Sequence, residues 1–373
     1  MKQKKVFVFI GTTAELIKLI PVIRELKRRN ILFTVIASRQ NNIQFEDFTS
    51  VTGKLHVTYA VAPKNNNPSI FFFVLWGIRT FFSLLVGMRF GFHGLNKKNS
   101  YFIVHGDTVS SLMGALVAFV YGLRLVHIES GLRSFDFREP FPEEVCRYII
   151  SRLADIHFCP NLWCVNNLKL SNGIKINTYQ NTLIEIYNLV SKLPKHGQFV
   201  HSIKGLQAKY FVLVVHRQEH VLFGRTKMLK ILHCIFDKIP KNLSCVLLVH
   251  DQSRKFINEL DTSIPSIKRK NIYKIRRLPY KDFINLMQGS EFVVTDGGSN
   301  QEELYYMGKP CLLLRNHTER IEGLGENVLL SENNINKITE FLEGYKKYER
   351  APLRGISRPS SIIVNYLFND EKK

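Results

Sequence analysis

Short runs of almost entirely apolar residues recur along the chain, separated by segments long enough to form helices. A strand that is apolar on both faces must be covered on both faces, which is typical of parallel sheets flanked by helices. In the first half of the chain these runs are residues 5–10, 31–38, 101–107, 123–130 and 156–160. The pattern restarts near residue 210, with runs at 210–216, 243–250, 292–296 and 311–315. The sequence therefore predicts an α/β fold with two doubly wound parallel sheets.

The chain has 373 residues, which is enough for about two domains of ~150 residues each. We place the boundary in residues 188–205, between the two sets of runs, so that residues 1–190 form one domain and residues 200–373 the other. Ligands of open α/β sheets bind beyond the carboxyl ends of the strands. We therefore expect two Rossmann-like domains that face a central cleft.

The formal net charge of +21 is typical of proteins that meet nucleic acid, an anionic membrane surface or anionic substrates. The sequence has no zinc-finger, RNA-binding or recognition-helix pattern, so a nucleic-acid partner is not expected. Residues 267–281 are densely basic and are interleaved with apolar residues. This stretch is either a solvated face or a contact with phosphates or acidic headgroups.

The six cysteines lack paired spacing, and several lie within apolar runs, so we expect reduced thiols in the core rather than disulfides or a zinc site. The apolar run at residues 6–10 is too short for a secretory signal peptide. Both features favour a cytoplasmic protein.

Residues 70–90 form a long apolar segment in which Arg79 is the only charge before Arg89. At ~1.5 Å per residue such a helix could span a bilayer, but the strands before and after it are expected in one sheet, which excludes a span. Two alternatives remain: a helix of the core, or a helix in the membrane interface with both arginines snorkelling. The following Lys97 and Lys98 favour peripheral contact with an anionic membrane. A second copy of the chain is another candidate partner.

Polar residues gather where the predicted strands end, which in parallel sheets is a single edge. Taken singly, each of these residues is explained by helix capping or by hydrogen bonding in the core, but their shared position favours a site. The turn after residues 292–296 either caps a helix or exposes backbone N–H groups to an anion. These residues are Gly11, Thr12, Thr13, Lys18, His105, Gly106, Asp107, Thr108, His127, Glu129, Gly131, Arg133, Glu143, Glu144, Arg147, His216, Arg217, Glu219, Gly297, Gly298 and Ser299.

The motifs around these residues resemble, in order and spacing, those of the UDP-N-acetylglucosamine 2-epimerases, which have two Rossmann-like domains of the glycosyltransferase-B type. The resemblance rests on GTTAELIKLIPVI, VHGDTVSSL, VHIESGLRS, FPEEVCR, QNT, VVHRQEH, TDGGSNQEE and GKPCLLLRNHTER. Together these motifs cover nearly the whole chain.

The resemblance implies interconversion of UDP-GlcNAc, or a related UDP-2-acetamido sugar, with its C2 epimer by elimination and re-addition of UDP. It implies no metal and no redox cofactor. The carboxylates that match the family's acid/base groups are Asp107, Glu129 and Glu143, and His216 matches its catalytic histidine. The residues that match its nucleotide and phosphate contacts are Lys18, Arg147, Gly297, Gly298, Ser299, Glu303 and Arg320.

Three departures from the family pattern keep other functions open. Thr13 stands where the family has a phosphate-facing arginine, residues 37–42 replace a Gly-Gln-His stretch used in allosteric activation, and the glycine turn reads GGSN. With the apolar segment, these departures favour the alternative of a membrane-associated glycosyltransferase acting on a lipid-linked acceptor. A noncatalytic partner in polysaccharide assembly is a third alternative.

Overall fold

A computed structural model of the chain describes residues 4–40, 43, 45–60, 70–192, 203–206, 208–215, 224–240, 242–249, 257, 271–353 and 357–369. The chain divides into two compact units, one within Met1–Ile186 and Ile356–Lys373, the other within Tyr187–Gly355. Each unit contains one parallel sheet flanked by helices.

The sheet of the first unit has seven strands in the order β3-β2-β1-β4-β5-β6-β7, all paired in parallel. The strands are β1 (Lys5–Ile10), β2 (Phe33–Ala37), β3 (Val57–Ala60), β4 (Ser100–His105), β5 (Leu125–Ile128), β6 (Ile156–Cys159) and β7 (Ile174–Asn177).

The sheet of the second unit has six strands in the order β10-β9-β8-β11-β12-β13, again all parallel. The strands are β8 (Tyr210–Val214), β9 (Ser244–Val249), β10 (Ile272–Arg276), β11 (Val293–Thr295), β12 (Cys311–Leu313) and β13 (Val328–Leu330). The predicted α/β class with two parallel sheets is confirmed, while the facing of the two domains across a cleft stays a prediction.

Helices connect the strands of both sheets. In the first unit and at its boundary they are α1 (Thr13–Arg28), α2 (Thr49–Thr52), α3 (Ile70–Phe92), α4 (Val109–Val120), α5 (Glu143–Leu153), α6 (Leu162–Asn167) and α7 (Leu183–Ser191). Later in the chain they are α8 (Arg225–Lys238), α9 (Tyr280–Gly289), α10 (Gly298–Met307), α11 (Ile335–Gly344) and α12 (Pro359–Asn369). Short 3₁₀ helices lie at Phe45–Phe48 and Tyr345–Tyr348.

The strand order reverses direction once in each sheet, between β1 and β4 in the first and between β8 and β11 in the second. At such a point the two flanking loops diverge and leave a crevice at the carboxyl ends of the strands. The loops that begin at Gly11 and Gly106 therefore frame the crevice of the first unit, and the turn at Asp296 borders that of the second.

Both faces of the first sheet are covered, which explains why its inner strands are apolar throughout. On one face, Phe7 and Phe102 pack with Phe92 of α3, and this cluster continues into α4 and α5. On the other face, Tyr101 donates a 3.0 Å hydrogen bond to the carbonyl of Leu367 and packs on Phe368, both in α12.

The last helix, α12, thus packs with the first unit, although the predicted second domain extended over residues 200–373. Besides the Tyr101 contact, Ser360 at its start binds Glu185 through its backbone N–H and its hydroxyl, both at 2.7 Å. The spacing of apolar residues predicts a helix but does not show which sheet the helix packs on. The prediction therefore placed this helix in the domain that precedes it in the sequence.

The apolar segment at residues 70–90 forms α3, which has one buried and one exposed face. Leu84 and Met88 are buried against the sheet, whereas Phe82 is 59% and Val86 74% exposed. Within the described residues, no helix combines the length and hydropathy needed to cross a membrane. One face of α3 is therefore buried, as predicted for a helix of the core. The opposite face exposes apolar side chains at the surface of the unit.

Four strands were not predicted, and they are the four edge strands β3, β7, β10 and β13. An edge strand is less covered than an inner one, and β7 and β10 accordingly mix polar with apolar residues. β13 is apolar but only three residues long. The basic stretch predicted at residues 267–281 contributes β10, on which Lys274 and Arg276 are exposed; residues 267–270 lie outside the described residues. Charged side chains on an edge strand disfavour pairing with another sheet.

Gly308 ends α10 with φ +69° and lies against the backbone, where a Cβ would come within 2.1 Å of the carbonyl oxygen of Arg350. We expect Gly308→Ala to lower the free energy of unfolding by about 3 kcal/mol or more, because backbone strain adds to a clash with an atom that cannot move aside. Gly325→Ala is the matched control, since Gly325 has φ +78° and nothing within 4 Å. Urea denaturation of both variants should show a clearly smaller loss, about 1 kcal/mol, for the control; equal losses would contradict the packing argument.

Candidate active site

Three loops at the carboxyl edge of the first sheet carry most of the predicted acid/base and phosphate residues of this unit. Asp107 follows β4, Glu129 follows β5, and Glu143 opens α5 after the long β5–α5 loop. Lys18 reaches this edge from the first turns of α1, and Arg147 from α5. The strand ends therefore bring five predicted residues to one region of the first unit.

Glu129 and Lys18 form a buried ion pair. Lys18 Nζ donates to both carboxylate oxygens of Glu129, at 2.9 Å to Oε1 and 2.7 Å to Oε2, and both residues are 5% exposed. Glu129 has φ +62°, an uncommon conformation for a residue with a side chain, which turns its carboxylate back toward α1. Asn181, in the loop after β7, also donates its amide to Oε2. Burial of Glu129 is thus compensated by a cation and an amide.

Asp107 lies at one end of a chain of ion pairs built around α5. Arg147 donates Nη2 to Asp107 and Nη1 to Glu144 at 3.1 Å. Glu144 is fully buried and also accepts a hydrogen bond from Arg133 Nε at 2.5 Å. Of the two glutamates of the PEE motif, Glu144 therefore organises the arginines, while Glu143 is partly exposed at the start of the helix. Arg147 is held by carboxylates on both sides.

Glu15, which was not among the predicted site residues, connects the loops after β1 and β4. Its Oε2 accepts hydrogen bonds from the backbone N–H groups of Gly11 at 2.5 Å and Thr12 at 3.3 Å. Its Oε1 accepts from the hydroxyls of Thr108 at 2.5 Å and Ser111 at 3.1 Å. The signal in the sequence was the Thr-x-x-Glu capping box, which the structure confirms at α1.

A second buried network ties the end of β5 to its neighbours. His127 Nε2 donates to the carbonyl of Gly106 at 2.7 Å, and Ser130 Oγ lies 2.9 Å from Nδ1 of both His127 and His157. Burial lowers the pKa of His127 to about 3, helped by the neighbouring His157. His127 is therefore neutral at physiological pH. Its hydrogen bond to Gly106 connects the loop that carries Asp107 to β5, the strand that Glu129 follows.

The glycine turn of the second unit begins α10. Gly297 N–H donates to Thr295 Oγ1 at 3.0 Å, and the helix starts at Gly298. A Cβ at Gly298 would come within 2.6 Å of Glu319 Oε1, so a side chain there would displace the Glu319 carboxylate. The next residue, Ser299, is partly exposed, so the permuted order GGSN fits its surroundings. A glycine N-cap leaves the first N–H groups without a capping side chain, which suits an anion.

The remaining predicted nucleotide residues lie around this helix. Arg320 is buried and donates to Glu302 Oε2 at 2.5 Å, and Tyr306 donates to Glu302 Oε1 at 2.5 Å. Glu303 accepts a hydrogen bond from Asn300 Nδ2 at 3.1 Å. Glu302, which the sequence did not single out, is thus the carboxylate that holds Arg320.

His216, the predicted catalytic histidine, follows β8 and Val215 in the sequence and lies outside the described residues. Thr13, where the family has an arginine, is the first residue of α1 and is partly exposed.

We expect the stability of the first unit to depend on the ionisation of Glu15. Burial raises its pKa to about 7, despite hydrogen bonds that lower it. In the folded state Glu15 stays protonated up to a pH of about 7, whereas in the unfolded state it loses its proton near pH 4.5. The free energy of unfolding therefore falls as the pH rises from about 4.5 to 7. Glu15→Gln removes this dependence, which amounts to at most ~3 kcal/mol, and any other cost of the substitution is the same at every pH.

Thermal denaturation between pH 5 and 8 measures this effect. The melting temperature of the wild type should fall more steeply over this range than that of Glu15→Gln. Glu25→Gln on the same helix is the control, because a hydrogen bond from Arg28 lowers the pKa of Glu25 to about 2. Its titration lies below the tested range, so this variant should follow the wild-type slope. Parallel curves for all three proteins would refute the assignment.

Known proteins match this chain over most of its length. A family model described as UDP-N-acetylglucosamine 2-epimerase matches residues 93–359. The UDP-N-acetylglucosamine 2-epimerase of Methanococcus maripaludis is 30% identical, over 99% of this chain and 99% of its own. That of Campylobacter jejuni is also 30% identical, over 98% and 97%.

Among solved structures, the UDP-GlcNAc 2-epimerase from Neisseria meningitidis bound to UDP-GlcNAc has a TM-score of 0.82 and 28% identity, covering 98% of this chain and 100% of its own. The two parallel sheets of this chain agree with this likeness. The chain therefore belongs to the UDP-N-acetylglucosamine 2-epimerase family.

Proposed function

We propose that this protein is an isomerase that interconverts UDP-GlcNAc, or a closely related UDP-2-acetamido sugar, and UDP-ManNAc. The observation that carries the proposal is the pair of carboxylates at neighbouring strand ends, Glu129 with Lys18 and Asp107 with Arg147. Family membership and the likeness to a structure bound to UDP-GlcNAc support the same substrate class.

Inversion at C2 requires a proton to leave one face of the sugar and another to reach the opposite face. In the forward direction a base removes the C2 proton while the C1–O bond breaks, which releases UDP and leaves 2-acetamidoglucal. A proton then adds to C2 from the other face as UDP re-forms the bond at C1. We assign the proton transfers to Asp107, Glu129 and Glu143, because opposite faces need at least two separately placed acid/base groups.

The departing UDP carries charge that needs cations and N–H dipoles. For the first unit we assign this role to Lys18 and Arg147, which lie beside the carboxylates. For the second unit we assign the diphosphate to Gly297, Gly298 and Ser299 at the start of α10, with Arg320 nearby. We assign Glu303 to the ribose, and His216 to a position beside the diphosphate.

We further propose that the protein works in the cytoplasm and supplies a UDP-ManNAc-type precursor for a surface polysaccharide. UDP-sugars are the substrates of such assembly, and the reaction needs no partner beyond the substrate. The transferase alternative is not favoured by any contact among the described residues, and it becomes an outcome of the following test.

Incubation with UDP-GlcNAc in D2O, without acceptor, tests the proposal by NMR at C2. We expect deuterium at C2 and formation of UDP-ManNAc with the wild type. Glu129→Gln should reduce exchange by about 100-fold or more, the usual share of an acid/base group, while UDP binding measured by titration calorimetry stays within a few-fold. Glu25→Gln should behave as the wild type, because Glu25 lies in α1 beyond Lys18 and is paired with Arg28 and Arg29.

A wild-type protein that leaves C2 protonated, yet labels a membrane lipid from a nucleotide sugar, would replace the isomerase with the transferase. Full exchange in Glu129→Gln would remove Glu129 from the reaction.

We also propose that a second copy of the chain covers the exposed face of α3. Leu75, Ile78, Phe82 and Val86 recur on this face at helical spacing. The exposed Phe119 and Val120 at the end of α4 extend it, since the next residue, Tyr121, hydrogen-bonds to the carbonyl of Leu85. Continuous apolar surface of this kind usually mediates association.

A second copy accounts for this face better than an anionic membrane does. Each basic residue near a bilayer contributes about 1 kcal/mol, so several are needed. Among the described residues, the exposed cations on α3 and just after it are Arg79, Arg89, Lys97 and Lys98, and Lys97 is paired with Asp155. The charge on this face is therefore modest compared with its apolar area.

Phe82→Asp should convert a dimer into a monomer, because it places a charge in the middle of the buried face. Size-exclusion chromatography with light scattering should give twice the 43.3 kDa chain mass for the wild type and one chain mass for the variant. Leu170→Asp is the control, since Leu170 is 96% exposed on another part of the first unit. A monomeric wild type that co-sediments with anionic vesicles would instead favour the membrane.

A further inference from the structure

Asn181 makes a direct hydrogen bond to the carboxylate of Glu129. It lies between β7 and α7, is 4% exposed, and donates Nδ2 to Glu129 Oε2. Lys18 donates to the same oxygen at 2.7 Å. One carboxylate oxygen thus receives two donors, one from the helix after β1 and one from the loop after β7.

The side-chain amide of Asn181 is held in one orientation by its own neighbours. Its Oδ1 accepts hydrogen bonds from the backbone N–H of Leu183 at 3.3 Å and from the hydroxyl of Thr182 at 3.2 Å. An amide whose oxygen is bound to two donors must present its NH2 group on the other side. That side faces Glu129.

The loop that carries Asn181 is anchored at both ends. The hydroxyl of Thr178 donates to the carbonyls of Cys159 at 3.0 Å and Gln180 at 2.9 Å. The side chain of Gln180 accepts a 2.6 Å hydrogen bond from Ser357, which precedes α12. Strand β6, this loop and the C-terminal segment therefore fix the position from which Asn181 donates.

We propose that Asn181 is a positioning residue that sets the orientation of the Glu129 carboxylate for proton transfer at C2. The inference rests on the proposed function, and it adds a residue to which the resemblance assigns no role. Lys18 cannot define this orientation alone, because an ammonium is a compact charge with three rotatable donors. The terminal torsion of a glutamate is broad, so the ammonium of Lys18 by itself permits the carboxylate to rotate. A planar amide in a fixed place removes this freedom.

Positioning matters because a general base acts only within hydrogen-bond reach of the proton it removes. An incorrectly rotated carboxylate still neutralises Lys18, so the fold and the binding of UDP do not depend on its orientation. Loss of Asn181 should therefore lower kcat and change KM little.

Asn181→Asp tests the proposal, because it keeps the shape and the Oδ1 acceptor but replaces the donor with a second carboxylate. Two carboxylates in contact cannot both ionise easily, so the pair keeps a proton to higher pH. We expect the acidic limb of the pH profile of kcat to move up by about one unit or more. Lys18 on α1 and His127 on β5 are titratable groups close to Glu129 among the described residues, and neither is changed.

Asn181→Ala removes the donor without adding charge. We expect kcat for C2 exchange to fall about 10- to 100-fold, the usual effect of losing a hydrogen bond to a charged group, and the acidic limb to move up less than in Asn181→Asp, where a second carboxylate is added. Asn177→Asp is the matched control: Asn177 ends β7, and its Oδ1 accepts from Tyr179 N–H at 2.8 Å, which an aspartate also does. This control adds the same charge to the same loop and should keep the wild-type profile.

The outcomes separate this inference from the proposed function. Absence of C2 exchange in the wild type overturns the function itself. Exchange in the wild type, with Asn181→Asp showing the same profile as Asn177→Asp, overturns the positioning role alone. Loss of UDP binding in Asn181→Ala and Asn181→Asp would assign Asn181 to the fold and would also overturn it.

Discussion

A charge buried at the end of a strand must be compensated in place, and this requirement organises both units. Lys18 compensates Glu129, Arg147 lies between Asp107 and Glu144, and Arg320 is held by Glu302. Buried pairs of this kind add little net stability, because desolvation offsets their attraction, yet losing one partner costs several kcal/mol. Their value lies in geometry: each pair fixes a loop at a place where loops would otherwise be the most variable part of the fold.

Hydrogen bonds outside the ion pairs extend this cross-linking between loops that are far apart in the sequence. Glu15 joins the loop after β1 to that after β4, His127 joins β5 to Gly106, and Asn181 joins the loop after β7 to Glu129. Four neighbouring loops are therefore connected through side chains rather than through the sheet. Acid/base chemistry needs such rigidity, since its groups must be held to a fraction of an ångström.

The sequence predicted the inner strands of both sheets and the gathering of polar residues at their ends, because these depend on local composition. It did not predict the edge strands, which either mix polar and apolar residues, as Ile174–Asn177 does, or form a very short apolar run, as Val328–Leu330 does. Roles that depend on contacts between distant segments were also beyond it. Glu144 and Glu143 are adjacent and chemically identical in the sequence, and only the fold shows that Glu144 is the one bound by Arg133 and Arg147.

The return of α12 to the first unit has a consequence for the chain as a whole. The first unit is discontinuous in sequence, so a fragment that stops near residue 190 is not a domain. It would expose Tyr101 and leave Glu185 without the N–H and hydroxyl of Ser360. During synthesis on the ribosome, the first unit can complete its packing only after the second has been made. Genetic exchange of the second unit between relatives must likewise insert it as an internal cassette, with α12 kept from the recipient.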